Sequence, residues 1–314
     1  MHAFINVSGP GQTLNEDTGV ILVTIISRAL SIRRLLLLVA VVFVLPACTF
    51  VISMAAEELA TNLGAAVRNQ NDPETVRQGA PAYLLLVDSL IEGDPRNPRV
   101  LLAGARIYDS YSSIFVNDDE ARAKRLSGKA WRQACAGLCE LRSVYCQLHK
   151  LPFPEFARTV AKFDKGDAEY LFTYASVWIG WIQANPGDWK IVADVPKVKL
   201  AMERVAALKP DYGQGMVYLY LGGMESLLPP ALGGKPEEAR VYFEKAYSLS
   251  DNKNLMARVM QAEKYARMTF NRKLHDKLLR EVLSAKTEAV GFTLTNVLAK
   301  ERALELLRSA NEYF

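Results

Sequence analysis

From Asp72 to the C-terminus, apolar residues recur at helical spacing, and no convincing alternating apolar and polar run exceeds four residues. A chain patterned this way has no strands from which to build a sheet, so the expected fold class is all-α. The helix starts are written into the residues. Asp72-Pro73-Glu74, Asn97-Pro98 and Lys235-Pro236-Glu237-Glu238 place proline at a first-turn position, where its missing N–H costs nothing. Two of the three also put acids near the positive helix end. Helices are expected at Pro73–Glu92, Pro98–Phe115, Asp119–Leu148, Pro154–Lys162, Asp167–Ala184, Val195–Leu208, Gly213–Leu228, Pro236–Leu249, Asn254–Met268, Arg272–Ala285 and from Leu294 onward. Turns of Pro, Gly and Asn between them imply paired antiparallel neighbours.

Three junctions share a layout. Ala239, Phe243 and Ala246 precede a turn and then Ala262 and Tyr265; Val198, Met202, Val205 and Leu208 precede Pro210; Tyr83, Val87 and Leu90 precede Pro95, Ala105 and Tyr108. This resembles the tetratricopeptide repeat, in which small residues stand where two helices cross closely. The resemblance implies a helical-hairpin solenoid over 72–314, with a concave surface formed by stacked units. The spacing is irregular, and Asp251 stands where the repeat expects proline. A generic array of helical hairpins accounts for the body nearly as well.

Two stretches are not ordinary repeat. "YLFTYASVWIGWIQA", Tyr170 to Ala184, carries no charge, and a helix apolar all round must be covered all round. It can be a central core helix, the wall of an apolar ligand cavity, or a subunit interface. Tyr174, Trp178 and Trp181 share one face and are the candidate ligand or partner residues. "SLLPPALGGKPEEA", Ser226 to Ala239, holds Leu227, Leu228, Ala231 and Leu232 between Pro-Pro and Gly-Gly breakers. Such a loop is expected to fold over the core.

The leader raises a separate question. "RRLLLLVAVVFVLPACTF" has an apolar run from Leu35 to Leu45, too short for a bilayer span of about 20 residues. It has the length of a secretory h-region behind two arginines. Leu45-Pro46-Ala47-Cys48 resembles the bacterial lipobox, which implies cleavage after Ala47 and a lipid on Cys48. The expected division is 1–47 signal peptide, 48–71 lipidated N-terminus with a tether or first helix, and 72–314 helical body. The leader is long for a signal, and translation is expected to begin nearer Val20 or Val23.

Composition removes other classes. The formal charge of +4 is small for 314 residues, and no basic run is interleaved with aromatics, so nucleic acid is not an expected partner. His149 and His275 are far apart, with no metal-ligand spacing or nucleophile motif nearby, so no catalytic residue, metal or cofactor is expected. His149 reads as a helix C-terminal cap. Cys135, Cys139 and Cys146 read as small residues on a packed helix face, with at least one free thiol among them.

The leader, the all-helical body and "LPPALGGKPEEA" followed by Phe243, Ala246 and Asn254-Leu255-Met256-Ala257 are similar to the TatT proteins. These are the T components of tetratricopeptide-associated TRAP transporters. The resemblance implies a lipid-anchored periplasmic accessory, on the inner or outer membrane, that forms a homotrimer. It further implies docking of the transporter's substrate-binding protein and conduction of an apolar ligand through a pore. Tyr174, Trp178 and Trp181 would line that pore or its mouth, with Arg106, Asp109 and Tyr218 as further candidates on helices of the concave side. The rival expectation is a tetratricopeptide scaffold for cell-envelope assembly that carries no small ligand.

Overall fold

The computed structural model describes residues 62–116 and 118–314; the leader and Cys48 lie outside the described residues. Among the described residues every regular element is helical. The long helices are α1 (Pro73–Gly93), α2 (Pro98–Phe115), α3 (Glu120–Leu141), α4 (Phe153–Val160), α5 (Ala168–Gln183), α6 (Val195–Leu208), α7 (Met216–Glu225), α8 (Pro236–Leu249), α9 (Leu255–Met260), α10 (Arg272–Ser284) and α11 (Thr293–Arg308). A π-helical turn, Gln261–Ala266, carries α9 onward. None of these helices is long and apolar enough to cross a membrane.

The starts follow the expected chemistry. Asp72 accepts from the Glu74 and Thr75 N–H groups (3.0 and 3.2 Å), and Asn97 from those of Arg99 and Val100 (3.1 and 3.3 Å). Helices adjacent in sequence are then adjacent in space: α1 on α2, α2 on α3, α5 on α6, α6 on α7, α7 on α8, and α10 on α11. The exception matters below: α5 packs against both α3 and α2.

The α7–α8 pair shows what sets the spacing. Phe243 is fully buried, and a Cβ on Gly222 would meet its ring at 2.7 Å, so the helices approach only because position 222 has no side chain. Ala239 and Ala246 are equally buried on the same face of α8. The first junction follows the layout less well. Val87 turns inward, but Tyr83 and Leu90 face solvent at 36% and 53% exposure.

Three expectations are corrected. The helix expected to run to Leu148 stops at Leu141, and Arg142 is extended. Tertiary contacts pull the chain out of the helix: the Arg142 guanidinium donates to Asp167 (3.1 Å), and buried Tyr145 stacks on Phe163 with centroids 3.9 Å apart. The break lets Cys146 fold back and form a disulfide with Cys139, leaving Cys135 as the free thiol among the described residues. Two of the three cysteines are therefore bridged rather than apolar filler. The helix expected from Gly213 begins at Met216, because Gly213, Gln214 and Gly215 all adopt left-handed backbone (φ 58°, 55° and 89°). Gly215 has no substitute there, since a Cβ would meet the Ala246 carbonyl at 2.9 Å.

The apolar loop does not fold over the core. Leu227 and Leu228 are 57% and 49% exposed, and Ala231 is exposed with them. The loop satisfies its own backbone instead, with N–H bonds from Gly233 to Pro230, Gly234 to Pro229 and Lys235 to Glu225 (3.0 to 3.1 Å). Held this way, the loop leaves Leu227, Leu228 and Ala231 exposed.

Candidate functional site

The uncharged helix α5 has two faces, and they differ in kind. Tyr174, Trp178 and Trp181 lie on the face toward α3. The rings of Trp178 and Trp131 stack at 5.1 Å, Trp131 meets Tyr174 at 5.2 Å, and Phe156 of α4 closes edge-on to Trp178 at 6.0 Å. Tyr174 and Trp178 are each 1% exposed, so this face is core. Trp181 is half-buried and rests over Gly128, where a Cβ would come within 3.1 Å of its ring.

His149 joins this cluster and is not a helix cap. It lies in the turn Leu148–Lys150 beyond the break in α3, edge-on to Trp131 at 5.2 Å. Its Nδ1 is 3.7 Å from the Cys135 Sγ, which places a thiol beside an imidazole. Burial pushes the thiol up to about 12 and, with Lys150 nearby, pulls the imidazole below its usual range. Both groups are neutral at pH 7, so the pair holds no thiolate for nucleophilic chemistry. The Tyr174 hydroxyl lies in the same interior without a well-formed hydrogen bond. Burial raises it well above the usual phenol value, although the His149 backbone is close enough to oppose the shift.

The opposite face of α5 carries Phe172, Ser176 and Gly180, spaced four apart and turned toward α2 and α7. Asp109 of α2 reaches Gly180 so closely that a Cβ there would collide with its Oδ1. Asp109 is 8% exposed. Ser113 Oγ donates to its main-chain carbonyl (2.8 Å), but among the described residues no donor or cation meets its carboxylate. Burial alone lifts the carboxyl from the usual range to about 7.

Two turns before Gly180 on α5, aromatic rings gather about Phe172. Phe172 packs against Tyr212 at 4.6 Å and Tyr220 at 5.7 Å, and both tyrosines are partly exposed. Burial, then the Asp109 charge, pushes the Tyr220 hydroxyl up; burial, then Glu169, pushes that of Tyr212 up to about 12. Arg106, one turn before Asp109, is exposed and reaches away to Glu169 at 3.6 Å. Tyr218 is not part of this group. It is buried on another side of α7, stacked on Tyr242 at 5.9 Å with the Lys245 Nζ 4.0 Å over its ring.

The structure thus separates six candidates that the sequence offered as one set. Tyr174, Trp178 and Trp181 form one group, Arg106 and Asp109 another, and Tyr218 stands apart. Phe172, Tyr212 and Tyr220 were missed. Tyr218 and Tyr220 differ by about 200° around one helix, a distinction that "MVYLYLGG" carries only once its inner face is known. No group of three or more His, Cys, Asp or Glu side chains among the described residues could hold a metal.

Comparison with known proteins bears on what this arrangement serves. The sequence profile of a family described as "TRAP transporter T-component" matches residues 69–314. A protein of Treponema pallidum (strain Nichols), described only as uncharacterized, is 22% identical over 265 residues, covering 78% of this chain and 81% of the other.

Proposed function

The chain belongs to the TRAP transporter T-component family, whose members are accessory transport components of the bacterial envelope and not enzymes, and from that premise we propose how it works. It is anchored in the periplasm by lipid on Cys48, docks the transporter's substrate-binding protein, and passes an apolar-bodied ligand along the α2–α5–α7 junction. The sequential helix pairs form a tetratricopeptide-like solenoid, and the exposed Leu85, Leu86 and Leu90 of α1 serve self-association into a homotrimer.

The observation that carries docking is the loop with Leu227, Leu228 and Ala231 outward. A self-structured loop presenting apolar side chains is the kind of surface that protein partners cover. On the ligand path, Tyr174 and Trp178 fix the position of α5 from the core side. Trp181 at its half-exposed end, with Asp109 and Arg106, meets the ligand. Tyr218 braces α7 from behind. The scaffold reading, with no ligand, also accounts for an apolar loop but leaves Asp109 without a role.

Crosslinking in cells that carry the transporter tests docking. The wild type should capture the substrate-binding protein, and Leu228→Asp should reduce capture several-fold while leaving the fold intact. Absence of the binding protein from wild-type crosslinks would overturn the proposal. Cys48→Ser should release the protein from the membrane fraction; retention would remove the anchor from the account.

A further inference from the structure

We propose that the Cys139–Cys146 disulfide is a redox latch: closed, it keeps residues 142–150 over the thiol of Cys135, and cleaved by a dithiol reductant it lets that segment open and bare the thiol. The latch is independent of docking and of any ligand, since it lies at the end of α3.

The segment is held away from the conformation its own residues favour. Local periodicity carries α3 on to Leu148, yet Arg142 is extended and Gln147 takes up left-handed backbone (φ 55°), which a residue other than glycine rarely adopts. What the fold-back achieves is cover. His149 Nδ1 lies 3.7 Å from the Cys135 Sγ, its ring stands edge-on to Trp131 at 5.2 Å, and Lys197 of α6 donates to its main-chain carbonyl (2.7 Å). Covered in this way, the Cys135 thiol is pushed up to about 12 by burial and holds almost no thiolate at neutral pH. Cys135 stands one turn before Cys139 on the same face of α3, so the fastening and the thiol it guards belong to one stretch of helix.

The other ties on the segment are weaker than the covalent one. Arg142 is half exposed, so its pairs with Asp164 and Asp167 (3.5 and 3.1 Å) are screened by solvent. Buried Tyr145, stacked on Phe163, keeps the chain attached on the near side, which confines any opening to the turn beyond it. Without the bridge that turn regains the freedom that closing a short loop had removed, and its open form becomes more populated. A reductant can reach the bridge, because Cys139 and Cys146 are half-buried and their neighbours Glu140 and Gln147 are exposed. One thiolate of the dithiol attacks a bridge sulfur and forms a mixed disulfide; its second thiol then displaces that sulfur. Two electrons and two protons pass to Cys139 and Cys146, which end as thiols, and the reductant leaves as a disulfide. An oxidising compartment keeps the latch closed.

Timed alkylation of the purified full-length protein with N-ethylmaleimide at neutral pH, read by peptide mass spectrometry, tests the latch. Before reduction Cys135 should label slowly, and Cys139 and Cys146 should not label. After treatment with dithiothreitol and its removal under argon, Cys135 should label roughly tenfold faster or more, the scale set by freeing a short closed loop. Far-UV circular dichroism should stay the same, because the opening is local. Cys146→Ser should give the same fast labelling with no reductant. Labelling of Cys139 or Cys146 before reduction, fast labelling of Cys135 in the bridged protein, or an unchanged Cys135 rate after reduction would each overturn the proposal. Cooperative loss of the helical signal on reduction would overturn it too, since the bridge would then support the whole fold and not one segment. The comparison of bridged and reduced wild type decides the matter alone if Cys146→Ser does not fold.

Discussion

The two faces of α5 are built from one uncharged stretch, yet they solve opposite problems. Toward α3, Tyr174, Trp178, Trp131, Phe156 and His149 fill the space ring against ring, with Trp178 1% exposed. Toward α2 and α7 the side chains are small, and the Asp109 carboxylate lies directly against Gly180 with no hydrogen-bond partner among the described residues. The difference is one of chemistry: the filled face leaves a phenol without a hydrogen bond at Tyr174, the other a carboxyl group at Asp109 whose protonation burial alters.

The sharpest way to break this contrast is Trp178→Ala, which empties the filled face. It should cost about 3–5 kcal/mol, read as a fall in denaturant midpoint. The second effect belongs to the sparse face. Because the carboxyl of Asp109 is raised to about 7 in the folded protein against an ordinary 3.8, the folded state binds the extra proton between those values. Stability should therefore fall as pH rises from about 4 through 7, by a few kcal/mol at most, and level off above. In Asp109→Asn that slope should vanish from a pH series of melting temperatures. Gly180→Ala pushes a methyl into Asp109 and should cost roughly 1–3 kcal/mol. Combining it with Asp109→Ala should recover part of that loss. The smallest effect is expected for Arg106→Ala, whose pair with Glu169 is more than half exposed. It should change stability by less than about 1 kcal/mol.

The sequence carried the helices wherever local chemistry decided them. Pro73, Pro98 and Pro236 begin helices as expected, with Asp72 and Asn97 capping the first two. It failed where distant residues decided. Nothing local to Leu141 predicts a break; Asp167, Phe163 and the bridge to Cys139 impose it. The same holds for the site. Trp178 announces itself by size, whereas Asp109 is one acid on an amphipathic helix until Gly180 is brought against it. Tyr220 looks like Tyr218 until α5 and α8 take opposite sides of α7.

One feature of the C-terminal helices bears on how this chain should be lined up with its kin. The wide turn at Gln261–Ala266 spends more residues per revolution than the α-helix on either side. A relative whose helix is regular there will match this one only with a single-residue gap in mid-helix, where alignment methods resist placing gaps. The Tyr265 hydroxyl, bonded to Glu237 at 2.8 Å, then becomes the landmark for resuming the count. Without it, every later residue of α10 and α11 would be compared one place out of step.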